Sequence, residues 1–365
     1  MSNNLIEIKN LFSVLSSDKG PVYVLNDITL SVPKGKIIGL VGESGSGKTQ
    51  LCMAIAGMQD LTPGVLSGEV NYNINNEKFN LYDWNIINKS KETFIANGNL
   101  KRKNHNKFSR FITSHTKKIK QNLIGWIPQD PKTYLNPFWT ISQHFEESFK
   151  TIDDKGDLNN LDDFIKHYLK EVDLDYNIFI NKKPSELSGG EAQRLMIAFV
   201  LSKRPSFLIA DESTTGLDVT RQKQVIDLFH KIRDKNKDLT MIIISHDFGV
   251  LDHLVDSYLV MYGGFLCEYI KNKDRIKDFK DMHPYSKDLI ETLNPNYKKT
   301  GNDELSSSVN LNNKLKGCPY VNNCKILKEK PNLKNKCNNE IPKIFNIKEK
   351  SSLTSKDWIR CWDYE

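Results

Sequence analysis

At residues 41–50 the chain reads VGESGSGKTQ, with three glycines, a lysine and a threonine directly behind the apolar run IIGLV. A buried strand running into so flexible a turn, and then into KTQLCMAIAGM with helical spacing, is the context that GxxxxGK(S/T) requires. Gly42, Gly47, Lys48 and Thr49 fill that pattern, and Glu43, Ser44, Gly45, Ser46 and Gln50 complete the loop. The glycines let successive N–H groups face inward, and the following helix adds positive potential at its N-terminus. Lys48 can then reach the β- and γ-phosphates of a nucleoside triphosphate while Thr49 holds Mg²⁺.

Two further segments belong with that loop. FLIADE, residues 207–212, buries four apolar residues in a strand and leaves Asp211 at its end, where a carboxylate can take Mg²⁺ through water. Glu212 beside it can accept the proton of an attacking water. LSGGEAQR, residues 187–194, opens a helix in which Ser188 and the free N–H groups of Gly189 and Gly190 make an anion site suited to a γ-phosphate. Ser188 and Glu191 also fit S-x-x-E, so a plain capping box is the alternative reading. LTMIIISHD is a second buried strand, and amphipathic helices are expected at 141–149, 161–172 and 190–201. Strands alternating with helices predict an α/β fold with ligands at the C-terminal ends of the strands.

The 365 residues exceed what one core usually holds, so a main unit and an appendage are expected. No run approaches the 18 or so apolar residues of a spanning helix, and MSNNLIEIKN lacks the pattern of a secretion signal, so a cytosolic chain with at most a peripheral membrane role is expected. The net charge of +7 is concentrated: between Trp84 and Asn122 there are ten Lys or Arg and one acid, Glu92. That stretch, about 76–122, is polar and without sustained period, and reads as an inserted surface loop or small subdomain. A polar linker is expected over 296–316, followed by a tail over 317–365 that carries Cys318, Cys324, Cys337 and Cys361. In a reducing compartment four such thiols are an iron–sulfur cluster site, a zinc site or simply free thiols.

In this order and spacing the motifs resemble those of ATP-binding-cassette transporter ATPases over residues 1–295, LSGGE being the family's own signature. The resemblance implies a P-loop NTPase core with an antiparallel β subdomain and a helical subdomain, plus the small cysteine-bearing extension. It implies ATP and Mg²⁺ as ligands and a head-to-tail pair of cassettes, in which Leu187, Ser188, Gly189, Gly190 and Glu191 act on the partner's ATP. Gln129 in IGWIPQDP resembles the glutamine that contacts Mg²⁺ with Thr49 and Asp211, Asp218 in TTGLD resembles the D-loop aspartate, and His246 in IIISHD resembles the switch histidine. With Glu212 these make Gln129 and His246 the catalytic set. The aromatic that stacks on adenine would fall near Leu15, which cannot stack, and Tyr23 is the substitute.

QDPKTYLNP, SHDFGVL, HPYSKDLI and the four-cysteine tail are similar to the oligopeptide, dipeptide and nickel importer branch, some of whose members hold a four-iron, four-sulfur cluster there. That branch implies two permease subunits, a paralogous ATPase partner, an extracellular substrate-binding protein reached indirectly, and the cytoplasmic face of the membrane. Tyr134, Phe138 and Trp139 are the candidate permease-docking surface, core packing being the alternative. An importer for nickel or another small solute is the alternative substrate reading. A soluble nucleic-acid-associated ATPase, with the basic insertion as its arm, is the rival from another class, and no nucleic-acid partner is expected. Twelve residues separate Cys324 from Cys337, and Ser213 and Gly216 stand where the family carries other residues.

Overall fold

The computed structural model describes residues 3–59, 62–74, 77–84, 92–96, 99–152, 160–212, 219–271, 273–279, 281–292, 309–347 and 357–365. Its centre is a sheet of eight strands in the order β13-β14-β12-β11-β3-β10-β9-β8. Strands β3 (Ile37–Val41), β9 (Phe207–Asp211) and β10 (Thr240–Ser245) are buried at every position, which is why they read as unbroken apolar runs. β8 (Ile124–Ile127) and β11 (Ser257–Tyr262) run parallel to these neighbours. β12 (Phe265–Ile270) turns back antiparallel, and two short strands of the tail, β13 (Phe345–Asn346) and β14 (Trp358–Ile359), continue the sheet beyond it.

A second sheet, antiparallel and in the order β2-β1-β4-β5, covers one face. It comprises β1 (Asn4–Ser17), β2 (Gly20–Pro33), β4 (Pro63–Ile74) and β5 (Glu77–Asn80). Between the two sheets lies helix α1 (Lys48–Ile55), in a core that includes Leu30, Leu40, Leu51, Ile55, Val70 and Ile244. On the opposite face α3 (Ile141–Thr151), α4 (Leu161–Glu171), the short α5 (Tyr176–Phe179), α6 (Gly189–Ser202) and α7 (Val219–Lys235) build a second core around Phe145, Phe164, Leu195 and Phe229. The chain between β10 and the tail adds α8 (Phe248–Leu251), α9 (Asp274–Asp278) and α10 (Pro284–Thr292), and the tail adds α11 (Ile326–Glu329) and α12 (Lys334–Asn339). The expected strands, helices and antiparallel β layer are all present.

Within the basic insertion the described residues form a small subdomain, the second of the two expectations. Strands β6 (Thr93–Ala96) and β7 (Asn99–Arg102) form a hairpin, and α2 (His105–Asn122) spans 18 residues. Phe108, Ile112 and Thr116 are buried along one side of α2, the Thr116 hydroxyl donating to the Ile112 carbonyl at 2.7 Å. A side chain at Gly57 would strike Thr116 at 2.3 Å, so that glycine lets α2 approach the end of α1. Arg102 ties the hairpin down: it is buried, donates to the carbonyls of Pro63 and Val65, and lies 3.9 Å from the centre of the Phe108 ring.

The tail is fastened to this body at several points. Residues 309–315 lie beside β2: the Tyr23 N–H donates to the Leu311 carbonyl at 2.7 Å, and Val309 and Leu315 pack on the core. Arg360 forms an ion pair with Asp27 at 2.5 Å and sits over the Phe265 ring. Among the described residues no helix is long and apolar enough to cross a membrane.

Candidate functional site

β3 delivers the glycine loop to the C-terminal edge of the central sheet, where β9 and β10 also end. Gly42 can only be glycine here: its φ is +154°, and a Cβ would meet the Met261 carbonyl oxygen at 2.2 Å. The loop is pinned from outside, the Gly264 N–H donating to the Ser46 carbonyl at 2.8 Å and the Glu43 N–H donating to the Tyr285 hydroxyl at 2.9 Å. Ser44 and Gly45 are exposed at its crest, and Gln50 accepts from the Gln59 side chain at 3.1 Å.

Lys48 starts α1 and is buried. Its ammonium donates to the carbonyls of Gly42 and Glu43 at 2.8 and 2.9 Å and stands 3.9 Å from the Glu212 carboxylate. Burial lowers the Lys48 pKa, while Glu212, Asp211 and Glu43 pull it back up. The Thr49 hydroxyl donates to Asp211 at 3.0 Å, and the Gln129 amide donates to Glu212 at 3.0 Å. Burial raises the pKa of Asp211, a carboxylate with little water around it and so eager for a cation. Hydroxyl, carboxylate and amide oxygens are the hard donors that Mg²⁺ prefers, so Thr49, Asp211 and Gln129 fit that ion. Glu212 adopts φ +42°, which turns its carboxyl out of the strand line toward Lys48 and Gln129.

The residues 187–191 form a different feature. Ser188 caps α6, its hydroxyl accepting from the Glu191 N–H at 3.3 Å while the Glu191 carboxylate accepts from the Ser188 N–H at 2.7 Å. The capping box is therefore present, and it lowers the Glu191 pKa through the bond to the Ser188 backbone. A Cβ at Gly189 would meet nothing within 4 Å, so the start of α6 is open above that residue, whereas Leu187 and Gly190 are buried. Lys132 donates to the Leu187 carbonyl. None of these bonds reaches the chain's own phosphate loop. His246 follows β10 and is exposed at the same sheet edge as the loop. Asp218, with Ser213 and Gly216, lies outside the described residues. Tyr23 is half-buried on β2, held by Leu311. Tyr134 and Phe138 are exposed, while Trp139 packs edge-on against His144 at 5.4 Å.

Residues 25–215, just over half of the chain, match the sequence model of the ABC transporter family. The chain belongs to the ABC transporter family. It is 31% identical over 345 residues to the oligopeptide transport ATP-binding protein OppD of Salmonella typhimurium, covering 93% of this chain and 90% of that one. It is 32% identical to the dipeptide transport ATP-binding protein DppD of Haemophilus influenzae, covering 79% of this chain and 77% of that one. Among solved structures, the dimeric bacterial ABC transporter cassette MJ0796 superposes with a TM-score of 0.56 at 22% identity, over 73% of this chain and 99% of the other. The chain is thus an ABC ATPase, and Lys48, Thr49, Asp211, Gln129 and Glu212 converge at the sheet edge just described.

In this ABC chain all six cysteines are free thiols. Burial raises the pKa of Cys318, Cys324, Cys337 and Cys361, neighbouring thiols add to the rise at Cys318, Cys337 and Cys361, and Cys361 is pushed to about 12. The Cys318 N–H donates to the Cys337 carbonyl at 2.7 Å. Among the described residues, no three His, Cys, Asp or Glu side chains form a group that could hold a metal ion. The contacts of Tyr285 and Lys132 carried no recognisable motif in the sequence; HPY marks a branch of the family, and only the fold brings its tyrosine to the loop.

Proposed function

We propose that this ABC ATPase energises an importer of oligopeptides or dipeptides. The single observation that carries the reading is the convergence of Lys48, Thr49, Asp211, Gln129 and Glu212 at one sheet edge in a chain collinear with peptide-transport ATPases. In this mechanism the amides of the glycine loop that make no bond within the chain, together with the Lys48 ammonium, hold the β- and γ-phosphates of ATP. Bound Mg²⁺, held by Thr49, Asp211 and Gln129, would neutralise charge on the phosphate oxygens. Glu212 takes the proton of the attacking water, and His246 contacts the γ-phosphate. Asp218 and the adenine-facing Tyr23 complete the assigned site.

Ser188 and Gly189 face open space at the start of α6, which suits them to the γ-phosphate bound by a second cassette. Two ATP molecules then join two cassettes, and hydrolysis removes the γ-phosphate contacts that hold them closed. The second cassette is a paralogous ATPase, and two permeases receive the motion at Tyr134 and Phe138, on the cytoplasmic face of the membrane. An extracellular binding protein supplies the solute. A four-iron, four-sulfur cluster on Cys318, Cys324, Cys337 and Cys361 rests on the resemblance alone: among the described residues these thiols form no metal-holding group, and burial raises their pKa values, which opposes the thiolates that a cluster needs.

Purification from membranes tests the assignment. Co-isolation with two permeases and a second ATPase, together with loss of peptide uptake on deletion, is the expected result; recovery only with ribosomes or DNA, or loss of nickel uptake alone, would overturn it. Iron and sulfide analysis of protein prepared without oxygen decides the point: four of each per chain would establish the cluster, and a colourless, metal-free protein would remove it.

A further inference from the structure

Tyr285 lies 242 positions beyond Glu43 in the chain, yet its hydroxyl oxygen accepts the Glu43 N–H at 2.9 Å. It is fully buried in the first turn of α10. Its ring packs on Tyr262 with centroids 4.5 Å apart and on Tyr320 at 5.4 Å, and those two meet edge-on at 5.2 Å. Tyr320 belongs to the tail, two residues after Cys318, and its hydroxyl donates to Asp288 one turn along α10. One side of Tyr285 is therefore walled by a tail residue.

A second arm reaches Tyr285 through its backbone. The Tyr285 N–H donates to His283 Nδ1 at 3.1 Å, and the His283 N–H donates to the Glu268 carboxylate at 3.0 Å. Arg275 bridges Glu268 at 2.5 Å and Asp357 at 2.7 Å, and Asp357 lies in the tail just before β14. All four of these side chains are buried, so water does not loosen the series.

We infer that Tyr285 is a positioning residue for ATP, and that Tyr320 and Asp357 hold it there, so that the tail is a working part of the nucleotide site. An amide held by Tyr285 fixes the curl of the loop before ATP arrives, and a loop ordered in advance leaves less ordering for the ligand to drive. Tyr285 touches no reacting atom, so its influence falls on affinity and leaves the chemical step alone. The inference rests on reading residues 42–49 as the phosphate cradle and is independent of whether the four thiols hold a cluster.

Titration of the full-length chain with a fluorescent ATP analogue, alongside turnover at saturating ATP, tests it. Tyr285→Phe should weaken ATP binding about 5- to 10-fold, the order expected for one buried hydrogen bond, with saturated turnover within about twofold of the parent. Tyr320→Leu should weaken binding similarly, and the double variant should bind no more than about twofold worse than the weaker single variant, because both act through one contact. Unchanged affinity in Tyr285→Phe, unchanged affinity in Tyr320→Leu, or losses that multiply in the double variant would overturn the inference. If Tyr320→Leu does not fold, Asp357→Asn takes its place with the same expectations. Lys48→Ala separates the two levels: if it retains ATP affinity, the reading of the loop itself fails, whereas loss there with an unaffected Tyr285→Phe removes only the positioning role.

Discussion

At the scale of single residues the site is a balance of charges held apart by distance. Lys48 stands 3.9 Å from Glu212 without a direct hydrogen bond and spends its donors on two loop carbonyls. Those carbonyls are replaceable by phosphate oxygens, which offer the buried ammonium a stronger, charged acceptor. Lys48→Ala should therefore abolish detectable ATP binding, a loss of at least about 100-fold in a fluorescent-nucleotide titration, without unfolding the chain; retained affinity would contradict the role. A second residue-scale expectation concerns pH. Burial drives the His283 pKa down to about 3, so the folded ring stays neutral where an unfolded one, at the usual 6.5, takes a proton. Between pH 6.5 and about 3 the unfolded state binds the extra proton, and stability falls as pH falls, by up to about 1.4 kcal/mol per pH unit. Glu268, raised by burial to about 7, contributes the opposite sign over the same range, so the test is the difference: in urea titrations from pH 7 to pH 5, stability should fall less, or rise more, in His283→Gln than in the parent chain.

Secondary-structure elements show where sequence reasoning reaches and where it stops. The strands ending in Val41, Asp211 and Ser245 are legible because each is buried at every position and ends at or just before a candidate site residue. The capping box at Ser188 is legible for the same local reason. Helix α2 was hidden by its composition: Phe108, Ile112 and Thr116 recur at helical spacing, but the third buried position is a threonine that satisfies its own hydroxyl. The hairpin before it depends on Arg102, whose partners are carbonyls nearly 40 residues upstream. Arg102→Ala removes the buried guanidinium that donates to those carbonyls and the ring contact to Phe108. It should cost about 2–4 kcal/mol in chemical denaturation, with an early loss of protection in α2 by hydrogen exchange. A cost below about 0.5 kcal/mol would mean the insertion is held by other contacts.

For the molecule as a whole, the tail is joined to the nucleotide-binding body by strand pairing, by the Arg360–Asp27 ion pair and by the tyrosine cluster. None of this could be read from the sequence, because these contacts join positions tens to hundreds of residues apart, and periodicity reports only on neighbours. The proposed division of labour between two cassettes also belongs to the scale of the whole molecule. Ser188 faces outward from its own site, so Ser188→Arg should leave the chain's own ATP affinity within about twofold yet lower turnover of the assembled complex by at least about 10-fold. Full turnover in the reconstituted complex would show that the open start of α6 receives no phosphate.

The most direct test of the central claim, that this sheet edge binds and hydrolyses ATP with Glu212 as the proton acceptor, is to measure ATP affinity and ATP turnover on one preparation of Glu212→Gln. The substitution keeps an oxygen for Gln129 and removes only the carboxylate charge and basicity. Turnover should fall at least about 100-fold while ATP affinity stays within about twofold of the parent, because the phosphate cradle is untouched. Turnover equal to the parent's, or affinity lost along with it, would contradict the account.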